Sequence, residues 1–454
     1  MKVVVLGGGF AGLAAAIALQ ERRHDVTLLE RRGVLGGRAT SYPDALSGED
    51  VDNGTHLMIG AYRDTLDLVR AAGAGDLLLV QDRLRIDYRD DRGWSTLDCP
   101  SLPAPLHLLA GLLGLRLSWR ARLDAVRLGL AARFGARPDG ITLTAWFDRL
   151  GQGEEVRRLL WAPLATAILN ETPDRAAAVL FYDVYRAAFL ESAEASRLVF
   201  LRRGYGRLLD RLGAYFEARG GRILRRARAS SIDIVGDAGT GDAVTGVTYA
   251  QRPTERADIV GGVQAHDARI AAEVVVSAVP WSALPALLPE RWRGDAPFAA
   301  AARLTGSPIV SVEMWLDQVV VDRPMVGLRD CEVEWVFDKG RLYGRAGAPQ
   351  HLAFIISAAY RSAPRPNAEL AAMAEAALRR YFPAMVGARV TRTLVLREAD
   401  ATFSCDPASE AIRPGAATPI RGLFLAGDWT STGLPATIEG AVRSGRTAAR
   451  LVDA

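Results

Sequence analysis

Gly7, Gly9 and Gly12 are spaced G-x-G-x-x-G, after the apolar run 3–6 and before a second apolar run, 13–19. A buried strand, a tight turn and a helix N-terminus in that order can hold a pyrophosphate. The first glycine permits the turn, and the second lets the phosphates reach the backbone. The third lets helix and strand pack closely, and the free N–H groups of the first helical turn face the anion. Glu30 ends the next apolar run, 25–30. A carboxylate at the end of that second strand can accept hydrogen bonds from ribose hydroxyls. The opening of the chain therefore reads as a dinucleotide-binding βαβ unit.

Two further elements choose between dinucleotides. Gly36-Gly37-Arg38 forms a loop just beyond the second strand, and Gly427-Asp428 stands between a strand and a helix near the other end of the chain. FAD is long, and its ribityl and ring end needs a second backbone cradle. A strand–Gly–Asp–helix element offers a carboxylate to ribityl hydroxyls and a helix N-terminus to the phosphates or ring. The expected cofactor is FAD. No second G-x-G-x-x-G follows a strand, so electrons are expected from an external donor.

Other chemistries find little support. The histidines His24, His56, His107, His266 and His351 lie far apart, and no C-x-x-C or H-x-x-x-H occurs, so no metal is expected. Cys99, Cys331 and Cys405 are too few and scattered for a disulfide framework. The lysines are Lys2 and Lys339, and Lys339 reads as a strand-end residue in the turn Phe337-Asp338-Lys339-Gly340. Asp52, before Asn53-Gly54, reads as a turn-capping residue.

The surrounding elements must position these groups. The chain has 454 residues, 49% apolar and 24% charged, which excludes a disordered or fibrous chain. A net charge of +4 is too small to argue for nucleic acid. No secretory apolar segment is read at the N-terminus, and the apolar stretch 99–115 is interrupted by Pro100, Pro103 and Pro105, short of the about 20 residues a membrane span needs. Residues 70–201 read as mostly helical. Short strands are expected around 222–224, 231–235, 243–249, 273–278, 308–316, 333–337 and 350–358, with helices at 208–218, 367–381 and 438–451. Polar turns are read at 236–241 and 253–267. The fold class is α/β: a Rossmann-like FAD-binding domain from 1–70, 202–285 and 418–454, with an inserted α+β substrate domain from 71–201 and 286–417, its helical part at 100–200.

VVVLGGGFAGLAAAIAL (3–19), the Gly36-Gly37-Arg38 loop, residues 51–56 and FLAGDW (424–429) together resemble the flavin-dependent amine oxidase and phytoene desaturase superfamily. DNGTHLMIGAY (52–62), WAPLATAILNETP (161–173), EWVFDK (334–339), EADATFS (398–404) and LAGDWTSTGLPATIEGAVRSG (425–445) resemble the hydroxysqualene dehydroxylases of hopanoid biosynthesis within it. The resemblance implies a cofactor-binding set: Gly7, Gly9, Phe10, Ala11, Gly12, Glu30, Arg31, Gly37, Arg38, Gly54, Thr55, His56, Ala229, Gly427, Asp428, Thr437 and Ile438. In it Glu30 takes the adenosine ribose, Arg38 lies by the phosphates, and 54–56 pass the isoalloxazine ring. The backbone of Ala229 meets adenine, Asp428 bonds the ribityl chain and Ile438 offers its N–H to the ring.

The implied reaction is reductive removal of an allylic hydroxyl from an apolar terpenoid alcohol, with His56 the candidate general acid. Two rivals are an oxidative polyene desaturase of the phytoene type and a non-catalytic prenyl-lipid escort. Amine oxidases of the superfamily place an aromatic residue where Ala436-Thr437 stand here, which argues against amine oxidation. Leu106, Leu108, Leu109, Leu112, Leu113, Leu115 and Leu117, followed by Arg116, Trp119, Arg120, Arg122 and Arg127, suit either a membrane-interface helix or a tunnel wall. The expected location is cytoplasmic, peripheral on the inner face of the cytoplasmic membrane.

Overall fold

Val3, Val4, Val5 and Leu6 are all but sealed from solvent, as a strand covered on both faces requires. In the computed structural model, which describes residues 1–236, 241–251 and 266–454, their strand Lys2–Leu6 is the middle of a five-stranded sheet. Asp25–Glu30 and Val274–Ser277 flank it in parallel, and Arg222–Arg225 and Leu423–Leu425 form the parallel edges. One sheet thus gathers strands from three remote stretches of chain. Helix Phe10–Glu21 follows the first strand, and helix Ile438–Leu451 crosses it where Gly445 lies against Ala11 and Ala15. Of the expected turns at 236–241 and 253–267, residues 237–240 and 253–265 lie outside the described residues, and 266–267 open the strand His266–Ala271 instead.

The second sheet has seven strands in the order Val390–Phe403, Gly306–Leu316, Gln350–Ile356, Trp335–Asp338, Met325–Leu328, Arg85–Asp90 and Gly93–Asp98. One face packs Val312, Met314 and Phe354 against Leu370, Leu378 and Tyr381 of helix Asn367–Tyr381. The opposite face, with Trp335, Phe337 and Ile355, joins one apolar cluster with Trp161, Phe181 and Tyr185 of the helical layer.

The expectation that 70–201 is mostly helical needs correction. Strands Leu78–Val80, Arg85–Asp90 and Gly93–Asp98 precede the helices, and the last two form the hairpin at the sheet's edge. Their period-two pattern is masked by Asp87, which is buried yet paired with Arg323 at 2.8 Å. The long strand Val390–Phe403 also escaped the sequence reading, because its alternate residues stay partly exposed.

Helices Leu106–Leu112 and Trp119–Phe134 turn His107, Gly111, Ala121, Ala125 and Leu128 inward. Their outer face leaves Leu109, Leu113, Trp119, Leu123, Leu130 and Phe134 between 41% and 77% exposed. Among the described residues no helix is long and apolar enough to cross a membrane.

Candidate functional site

The phosphate end is built from backbone. Gly7 has φ +101° and Gly12 sits so close behind it that a Cβ there would stand 1.9 Å from the Gly7 carbonyl oxygen. Only glycine permits this return of the helix onto the strand. Gly9 caps the helix, and a Cβ on it would meet nothing nearer than the Gly36 oxygen at 3.8 Å. Phe10 and Ala11 are buried behind the turn. The buried Glu30 carboxylate accepts the N–H groups of Gly8 (2.8 Å) and Arg32 (2.7 Å), so it fixes both glycine loops. Gly36 N–H donates to the Gly8 carbonyl at 2.8 Å, which brings Gly37 beside Gly9. Arg31 is exposed at this rim, and Ala229 is half-buried on strand Ala227–Val235.

The other end of the chain closes on this loop. Gly427 N–H donates to Ser444 Oγ at 2.8 Å, and the buried Asp428 carboxylate pairs with the Arg38 guanidinium. Arg38 also donates to the Ala401 carbonyl at 3.1 Å and lies over the Trp281 ring. Thr437 caps the last helix by accepting the Gly440 N–H at 3.0 Å, so Ile438 begins that helix. The buried Arg413 donates to the Asp428 carbonyl (2.9 Å), the Thr430 carbonyl and Thr432 Oγ1 (3.2 Å), which holds the Gly427–Thr432 loop in shape.

Between these ends runs the segment from Asp52 to His56. Asp52 is not a turn cap. It is buried at the end of strand Asp50–Asp52 and collects four donors: Ser41 Oγ, the Lys339 ammonium, the Tyr343 hydroxyl at 2.9 Å and the Tyr205 N–H at 3.3 Å. Lys339 likewise leaves its expected turn. It opens the short helix Lys339–Leu342, with its side chain 3% exposed and its ammonium on Asp52. Burial alone would raise the Asp52 carboxyl, yet Lys339, Ser41 and Tyr343 together hold it below the usual carboxylate range. Burial would lower Lys339, and Asp52 with Tyr343 and Glu313 holds it above its usual value. The pair stays ionised.

His56 stands one turn of backbone away. Tyr205 lies edge-on to its ring at 5.3 Å, and the Tyr205 hydroxyl donates to the His56 carbonyl at 3.3 Å. Burial lowers the imidazole below its ordinary value despite the Asp52 charge, so it is neutral at pH 7. The ring bonds to the Arg38 backbone, while Nε2 is shielded from solvent and has no partner among the described residues. Thr55 Oγ1 is also buried without a partner, and around Gly54 there is open space.

This geometry brings the glycines, Glu30, Arg38, Asp428 and the 54–56 segment around one region, with Thr437 and Ile438 at the entry of the last helix. Sequence reasoning missed Ser41, Tyr205, Tyr343 and Arg413. A single hydroxyl carries no spacing signal, and one arginine is invisible in a chain this rich in them.

The chain matches the family described as flavin containing amine oxidoreductase over residues 10–453. It belongs to that family. It is 30% identical to a hydroxysqualene dehydroxylase of Rhodopseudomonas palustris, over 99% of this chain and 98% of that one. It is 25% identical to a 15-cis-phytoene desaturase of Synechococcus elongatus, over 100% and 96%. A solved oxidoreductase from Methanosarcina mazei shares the fold with TM-score 0.72 at 19% identity, covering 98% of this chain and 99% of that chain. The protein is thus an FAD-dependent oxidoreductase. The residues fit the cofactor: the space beside Gly9 and Gly54 and the unpartnered Thr55 Oγ1 and His56 Nε2 are what a bound dinucleotide and its ring would fill and satisfy.

Proposed function

We propose that this flavoprotein removes the allylic hydroxyl of hydroxysqualene to give squalene, in hopanoid biosynthesis. The observation that carries the reading is the 30% identity to the Rhodopseudomonas palustris hydroxysqualene dehydroxylase, which runs end to end. The site is compatible with an apolar alcohol. Ala436 stands where an aromatic wall would serve an amine, and it borders the large apolar cluster together with Leu57 and Tyr343.

In this reading Gly7, Gly9, Phe10, Ala11 and Gly12 hold the pyrophosphate of FAD, with Arg38 beside it. Glu30 and Arg31 serve the adenosine side with Ala229. Gly37, Gly427 and Asp428 hold the ribityl chain, and Gly54, Thr55, His56, Thr437 and Ile438 surround the ring. Bound and reduced, FAD supplies a hydride to the allylic carbon. The hydroxyl must leave as water. His56 presents Nε2 to it: with the ring held by the Arg38 backbone, the neutral imidazole leaves Nε2 free to bond and orient the substrate O–H.

The exposed face of helices Leu106–Leu112 and Trp119–Phe134 supports loading from an anionic bilayer. Leu109, Leu113, Leu123 and Phe134 supply the apolar area, Trp119 the interfacial ring, and Arg116, Arg120 and Arg122 the positive margin. An external reductant supplies the electrons.

The test is anaerobic: the chemically reduced enzyme is mixed with hydroxysqualene, the flavin absorption is followed, and the product is identified by mass spectrometry. Squalene formed one-to-one with flavin reoxidation supports the reading. The full-length 25% identity to a phytoene desaturase favours a second reading, oxidative desaturation. Phytoene oxidation by the oxidised enzyme, with no squalene formed in the first assay, would establish it instead. A purified protein without a flavin absorption band would indicate a lipid escort.

A further inference from the structure

We propose that Tyr343, recharged by Lys339, is the acid that protonates the departing hydroxyl. This rests on the dehydroxylase reading. A lone histidine cannot both orient the substrate hydroxyl through an unprotonated Nε2 and give a proton to the same oxygen. Tyr343 brings a further group with a transferable proton to this cluster. Tyr343 is half-buried and bonds Asp52, four residues before His56 on the same segment. Its hydroxyl is held on Asp52 Oδ2 at 2.9 Å, and the Lys339 ammonium lies 4.8 Å from its ring centroid on the same carboxylate oxygen.

The side chains divide the work. A buried lysine paired with a carboxylate is a fixed positive charge beside a phenol. It stabilises the phenolate that forms when the proton leaves. Burial raises the Tyr343 phenol above its ordinary value, with Lys339 opposing. The phenol keeps its proton at neutral pH and can give it to an oxygen that takes on hydroxide character as its C–O bond breaks.

The step balances. The C–O bond breaks with its electron pair going to oxygen. That oxygen takes the Tyr343 proton and leaves as water, while the carbon would take the hydride that FAD, bound and reduced, would supply. Lys339 then returns a proton to the phenolate and is reprotonated from solvent. The groups facing the pair are Asp52 and His56 on their segment, Arg38 on the glycine loop, Ser41 on the strand Ser41–Pro43, Tyr205 on helix Tyr205–Glu217 and Glu313 on strand Gly306–Leu316.

The experiment measures single-turnover rates of the reduced holoenzyme with hydroxysqualene against pH, in wild type, Tyr343→Phe and a variant carrying 3-fluorotyrosine at 343. Flavin content and squalene affinity are measured alongside. Tyr343→Phe is expected to lose about 10²–10⁴-fold in rate, as removal of a general acid does, with flavin content and squalene affinity unchanged. The wild-type rate is expected to stay flat through neutrality. Fluorotyrosine, a more acidic phenol of nearly the same shape, is expected to move the alkaline fall of the profile to lower pH. A purely structural tyrosine would leave that limb where it is. A Tyr343→Phe rate within about threefold of wild type, or a wild-type rate falling tenfold per unit above about pH 6.5 as a cationic histidine requires, would overturn the proposal. The wild-type product decides the reaction by itself. If the wild type forms no squalene but desaturates a polyene, the dehydroxylase reading fails, and an unshifted profile for fluorotyrosine in that reaction also removes Tyr343 from proton transfer.

Discussion

The two ends of the flavin site are made of different material. At the phosphate end the grip is backbone: Gly7 to Gly12, Gly36 and Gly37, with one side chain, Glu30, tying the loops together. At the reaction end the working groups are mostly side chains drawn from three distant stretches, and Asp52 alone joins Ser41, Lys339, Tyr343 and the Tyr205 N–H. A backbone grip must be contiguous, because successive N–H groups have to face one anion. A side-chain constellation has no such requirement, and only the tertiary fold assembles it. The first end should therefore fail through shape, and the second through charge.

The sharpest break is at Gly12. Gly12→Ala places a methyl 1.9 Å from the Gly7 oxygen, so the strand–helix turn must open. Loss of essentially all FAD is expected, with a stability loss at or beyond the about 1–3 kcal/mol typical of overpacking. Gly9→Ala is the control. Its methyl meets only the Gly36 oxygen at 3.8 Å, so the apoprotein should melt as wild type does while FAD binding falls, because the phosphates lose their approach. Flavin absorbance per protein and melting of the apo forms read both. Equal destabilisation of the two apoproteins would show that the turn, not the ligand, dictates both glycines.

This division also sets what was legible in the sequence. The strands Lys2–Leu6 and Asp25–Glu30 and the helices Asn367–Tyr381 and Ile438–Leu451 were readable because continuous apolar runs and helical periodicity are local. The seven-stranded sheet was only partly readable. Arg85–Asp90 hides its buried Asp87 behind ion pairs, and Val390–Phe403 is an edge strand half in solvent. Lys339 was misread for a related reason. A strand followed by Asp-Lys-Gly looks like an exposed turn, and nothing nearby announces that a carboxylate 287 positions earlier will bury it. Long-range ion pairs of this kind leave no periodic trace.

The second break is intermediate in size. Lys339→Met leaves Asp52 buried without its cation, and breaking one partner of a buried pair costs about 3–5 kcal/mol. Ser41, Tyr343 and the Tyr205 N–H still donate to Asp52, so the lower part of that range is expected. Adding Asp52→Asn should recover part of the loss, measured as a coupling of about 0.5–3 kcal/mol in a denaturation cycle. FAD should stay bound throughout, because no phosphate-end contact involves either residue. Loss of flavin from Lys339→Met while the protein remains folded would contradict the independence of the two ends.

The smallest effect on stability, and the one that separates loading from chemistry, lies outside both ends. Leu109, Leu113 and Leu123 project from helices whose inward faces pack on Cys99, Leu97 and the helical layer, and they touch neither glycine loop nor Asp52. Changing all three to Ser removes side chains that are 41–64% exposed, so stability should fall by no more than about 1 kcal/mol per site. Flavin content and turnover of detergent-dispersed substrate should be unchanged. Co-sedimentation with vesicles of anionic phospholipid should fall sharply, together with turnover of substrate dissolved in those vesicles. The arginine margin adds a salt dependence: wild-type binding should weaken as ionic strength rises, more steeply than the change in apolar area alone predicts. Vesicle binding that survives the triple change would move the docking surface elsewhere and leave these leucines without a role in substrate delivery.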